Sequence, residues 1–131
     1  MSKITKMPNT TTITFGGLTL QCRMSGRAIL KAEKRLDESV MGLFIKKEGE
    51  MKLPPSNSLL IILHESNVTS GIKESDIVNA FYDHIDEGGT ALEIFEKASE
   101  MLNDSGFFGK DKGNQEDEVT LDKEPTVDSV L

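Results

Sequence analysis

TITFGGLTLQCRM, residues 12–24, is the stretch whose reading decides the fold. Ile13, Phe15, Leu18, Leu20, Cys22 and Met24 face one way, while Thr14, Thr19, Gln21 and Arg23 face the other. Period two with β-branched residues reads as strand. Gly16-Gly17 supplies the positive φ angles of a two-residue hairpin turn. A lone hairpin is marginal in water, so its apolar face needs a cover. Residues 1–11 are polar and are expected to be flexible, so the cover must come from downstream.

Downstream the period changes. Ser25 stands where an N-cap belongs, and Ile29, Ala32, Leu36, Val40, Leu43 and Phe44 recur at three and four. That spacing predicts one helix, fading near Lys46-Lys47 with Gly49 behind it. Pro54-Pro55 interrupts, and Ser56, Asn57 and Ser58 are three candidate caps for a short helix from Leu59 to about Ser66. Leu59, Leu60, Ile61, Ile62 and Leu63 leave that helix no polar face. Such a helix is either central to the core or half of an interface. Ile72 and Ile77 bracket a helix start at Lys73 as a hydrophobic staple, and Ile77, Val78, Phe81, Tyr82 and Ile85 form its stripe. Gly88-Gly89 ends it. Thr90-Ala91-Leu92-Glu93 is a capping box opening a last helix, with Leu92, Phe95, Ala98, Met101 and Leu102 on one face. The expected fold is α+β, mainly α: an N-terminal β-hairpin packed on about four short helices, residues 12–108.

The chain of 131 residues suits one such domain, and its apolar fraction of 37 % is lean. Residues 109–131 lack any sustained period and read as an acidic disordered tail. From Asp104 to Leu131 eight acidic residues meet three basic ones, so most of the net charge of −7 sits there. A nearly neutral body with an acidic end argues against nucleic-acid partners and against docking on anionic membranes. One cysteine forbids an intrachain disulfide and fits a reducing compartment. The N-terminus shows no signal-peptide run, and no apolar run is long enough to span a bilayer.

Chemistry leaves few traces. Cys22 and the histidines His64 and His84 could form a dyad only by folding together. The alternation of Cys22 with Leu20 and Met24 makes it an inward-facing small hydrophobe. An EF-hand register centred on Gly88 puts Ile85 and Ile94 at ligand positions, and one centred on Gly109 fails likewise. One Cys and two separated His do not make a zinc site. No catalytic, metal or cofactor site is expected, and the chain reads as a binding protein, not an enzyme. The candidate partner-binding residues are Leu59, Leu60, Ile62 and Leu63, together with Phe107 and Phe108 between two glycines. The phenylalanines could plug the core or be offered to a partner.

From Ile13 to Phe108 the order of elements resembles that of phage tail assembly chaperones, which serve long-tailed phages and prophages of Gram-positive bacteria. The residues that carry the resemblance are ITFGGLTL (13–20), AEKRLDESV (32–40), the proline-marked connector, IKESDIVNAFYDHIDEGG (72–89) and SGFF (105–108). The resemblance implies a protein that binds the very long, apolar, helical tape measure protein. It would keep that client soluble while the major tail tube protein polymerises around it. It further implies residence in the host bacterial cytoplasm, absence from the mature virion, and self-association. A longer form, made by ribosomal frameshift, would recruit tube subunits. The competing expectation from the residues alone is a small helical adaptor or regulator docking on a soluble partner.

Overall fold

The computed structural model describes residues 9–109. Two strands, β1 (Thr11–Phe15) and β2 (Leu18–Cys22), precede five helices: α1 (Gly26–Leu36), α2 (Val40–Phe44), α3 (Ser56–Ser66), α4 (Glu74–Asp86) and α5 (Ala91–Asp104). The α+β architecture with an N-terminal hairpin is as the sequence reads.

The hairpin is antiparallel and pairs Ile13 with Leu20 and Phe15 with Leu18. Gly16 and Gly17 have φ of 55° and 80°, the turn that matches the twist of the strands. Gly16 has a second reason to be glycine: a Cβ there would collide with the Ala80 carbonyl of α4. The hairpin tip thus rests directly on a helix backbone. Thr10 and Thr11 are buried and Thr11 belongs to β1, so order begins before the expected residue 12. The expectation of a flexible segment over residues 1–8 and of a disordered one over 110–131 falls outside the described residues.

The single helix expected to run from its cap at Ser25 to near Lys46-Lys47 is two. Asp37 takes a left-handed φ of 59° and caps α1, its N–H donating to the Glu33 carbonyl. Ser39 then caps α2 by accepting from the Gly42 N–H at 2.9 Å. The Glu33 carboxylate accepts from the Val40 N–H at 2.9 Å. These bonds satisfy the groups that a chain break orphans. The apolar period runs on through the break, because Ala32, Val40, Leu43 and Phe44 are all buried. This division makes the helix count five, not about four.

α3 lies at the centre. It packs against α1, α4 and α5, and Leu59, Ile62 and Leu63 are fully buried. It begins at Ser56 with Pro55 in the cap position and no side-chain cap bond, so none of the three candidate caps acts as one. The free edge of β2 is tied to the loop after α3. Arg23 N–H donates to the Ser66 carbonyl at 2.9 Å, and Val68 N–H to the Gln21 carbonyl at 2.8 Å. The hairpin's apolar face is closed by α5, which contacts β1, and by α4, which contacts both strands. Thr11 Oγ1 donates to Asp104 at 2.9 Å, joining the first strand to the end of the last helix.

Candidate functional site

Leu59, Leu60, Ile62 and Leu63 are core residues, which removes them from any accessible partner surface in this fold. The reason is position. Three neighbouring helices cover the side of α3 that carries Leu59, Leu60, Ile62 and Leu63, so an apolar run there is what the core demands, while Ile61, His64 and Glu65 stay half-buried. Phe107 and Phe108 are half-buried and pack against the core cluster. Their rings meet edge-on, 5.3 Å apart. Gly106, at φ 82°, turns the chain so that the Phe107 N–H donates to the Leu102 carbonyl at 2.9 Å. The pair seals the end of α5, leaving part of each ring accessible.

Among the exposed large apolar side chains of the described residues, Tyr82 and Ile85 share one helix, α4. Ile77 and Ala80 turn into the core, with His84 half-buried one turn on. Val78, Phe81, Tyr82 and Ile85 fall on the adjoining arc at helical spacing. Val78 and Phe81 are half-buried, while Tyr82 is 59 % and Ile85 41 % exposed. The apolar arc of α4 is therefore wider than the domain beneath it. Its start is fixed by the Asp76 carboxylate, which accepts from the Lys73 N–H at 2.8 Å. Its end is fixed by His84, whose Nε2 donates to the Thr90 carbonyl at 3.0 Å. The His84 ring meets Phe15 edge-on at 6.3 Å and fills the space a Gly89 side chain would need. The Thr90–Glu93 capping box then opens α5 with bonds of 3.2 and 2.9 Å.

A polar cluster anchors α4 from its other end. Arg35 of α1 donates to Glu65 (3.0 Å), to Glu74 (2.8 Å) and to His64 Nδ1 (3.0 Å). Burial opposes the Arg35 charge, but the bonds to Glu65 and Glu74 outweigh it and raise its pKa. Every member of the cluster has a partner, and it joins α1, α3 and α4. His84 and His64 are thus both engaged in holding α4.

Cys22 is fully buried, with its sulfur 4.0 Å from the Leu63 carbonyl. Burial pushes its thiol up to about 11, against a weaker lowering by the Ser66 hydroxyl. A nucleophilic cysteine needs the opposite shift. No group of three His, Cys, Asp or Glu is placed to hold a metal ion among the described residues. No described helix is long and apolar enough to cross a membrane.

The sequence named the α4 stripe but gave no sign that half of it would stay open. No curated protein and no solved structure matches the chain. The model of a family of unknown function (DUF6096) matches residues 4–130, and the chain belongs to that family.

Proposed function

We propose that the protein is a phage tail assembly chaperone: it binds the tape measure protein, keeps it soluble, and helps recruit tail tube subunits during tail morphogenesis in the host cytoplasm. The observation that carries this reading is the open edge of the α4 arc, where Tyr82 and Ile85 are exposed beside the half-buried Val78 and Phe81. A helix that offers side chains at three- and four-residue spacing fits the apolar stripe of another helix. A long apolar helical client presents many such stripes, each binding weakly and reversibly. The order of elements from Ile13 to Phe108 adds the resemblance to that chaperone family.

Co-expression with the tape measure protein tests the proposal. The client should stay soluble with the wild-type chain and precipitate with Tyr82→Glu/Ile85→Glu, whose fold circular dichroism should show intact. Client solubility that does not depend on the chain at all would sink the proposal. A tight complex with an already soluble protein, and no effect on the client, would favour the adaptor reading instead. The longer, tube-recruiting form is tested separately, by searching the gene beyond the Phe108 codon for a slippery heptamer and an overlapping frame.

A further inference from the structure

The outer face of α1 carries Arg27, Leu30, Lys31 and Lys34 at spacings of three and four, opposite the buried Ala28 and Ala32. Arg23, just before the helix, is exposed as well. Leu30 is 71 % exposed, an isolated large apolar side chain among cations. Arg35, on the next arc, pairs with Glu65 and Glu74, but none of Arg23, Arg27, Lys31 and Lys34 forms an ion pair among the described residues. Only Asp37 and Glu38 follow at the helix end, and neither pairs with these four. Three unpaired cations on one stripe, with Arg23 just before it, are unusual for a chain of net charge −7.

The complement lies in the same chain. Residues 116–122, EDEVTLD, hold four carboxylates, no base, and the apolar Val119 and Leu121. The described chain stops beside Arg23, four residues before the first cation of the stripe, since Gly109 and Arg23 line one groove with Asn9, Asp104 and Ser105. The Met24 N–H donates to Ser105 Oγ at 2.9 Å and holds the two stretches together. Seven residues from Gly109 to Glu116 reach at most about 25 Å. The stripe from Arg27 to Lys34 is only about 10 Å long. The family match runs through to residue 130 and so covers the acidic segment.

We propose that residues 116–122 dock in cis on the basic face of α1, with carboxylates on Arg27, Lys31 and Lys34 and with Val119 or Leu121 over Leu30. The occupant is this chain's own segment, and the proposal does not depend on the chaperone reading. Charge supplies attraction and one apolar contact supplies register, so the docking is weak and easily displaced by salt.

A nitroxide on Val119→Cys of the full chain tests it, because Cys22 is buried and escapes labelling. The backbone amides of Arg27 to Lys34 should lose more than half their NMR intensity at low salt. They should recover at about 1 M salt, where screening acts within about 3 Å. Lys31→Glu/Lys34→Glu, at exposed positions, should abolish the loss without other spectral change. Undiminished α1 amides would overturn the proposal. So would a loss seen only between labelled and unlabelled copies, which would place the segment on a second chain. Undiminished amides that shift on adding a short RNA would make the stripe a phosphate-binding face, which also overturns it.

Discussion

α3 and α4 lie side by side, and their sequences say different things about their neighbours. α3 carries five consecutive apolar residues, which read as core or as half of an interface, and it is the centre of the domain. α4 carries an ordinary amphipathic stripe and looks like a core-facing helix, yet about half of that stripe stays open. Periodicity reports which side of a helix is apolar. It does not report how many neighbours that helix has, and the neighbours decide what is left over.

The contrast can be broken by substitution. The largest effect belongs in α3. Leu63→Ala should lower unfolding free energy by about 2–5 kcal/mol, since it leaves a cavity where every side is packed. Urea denaturation checks this, and a loss below about 1 kcal/mol would mean that α3 is not central. Cys22, packed against α3, gives a pH-dependent version. Its thiol is protonated in the folded state up to about 11 against 9.0 when free, so its contribution is whole below pH 9 and is lost as pH rises through 11. Those two units are on the order of 3 kcal/mol at most. Denaturation of wild type against Cys22→Ala across that window should show the wild-type chain losing stability faster.

At the junction of α4 and α5 the effect should be smaller. Thr90→Ala removes the hydroxyl that accepts from the Glu93 N–H and should cost about 1 kcal/mol. The smallest effect on stability belongs on α4. Tyr82→Ser and Ile85→Ser should each stay within about 0.5 kcal/mol of wild type, as exposed positions do. Thermal melts would check that, while client solubility falls in the same variants. A large loss of stability there would show that the open arc is packing after all, and the contrast with α3 would vanish.

Much of the fold was legible. The hairpin announced itself because Gly16-Gly17 and the alternation around them serve one local geometry. The Thr90–Glu93 box likewise needs only its own four residues. The break at Asp37 was hidden, since aspartate is an uncommon left-handed residue and the apolar period continues across it. The candidate site was half legible. Phe107 and Phe108 were singled out and do keep part of their surface, whereas Leu59, Leu60, Ile62 and Leu63 vanish into the core. The stripe of cations on α1 was present in the sequence but scattered among acidic residues, and only the helix gathers Arg27, Lys31 and Lys34 onto one side.

The bond from Thr11 to Asp104 spans 93 residues and carries a consequence for how the protein is made. The first strand leaves the ribosome well before the helix end it bonds to. At about 5–20 residues per second, that contact waits about 5–20 s. The α3 and α4 contacts of the hairpin come within reach sooner, so its face closes in stages and the α5 side closes after them.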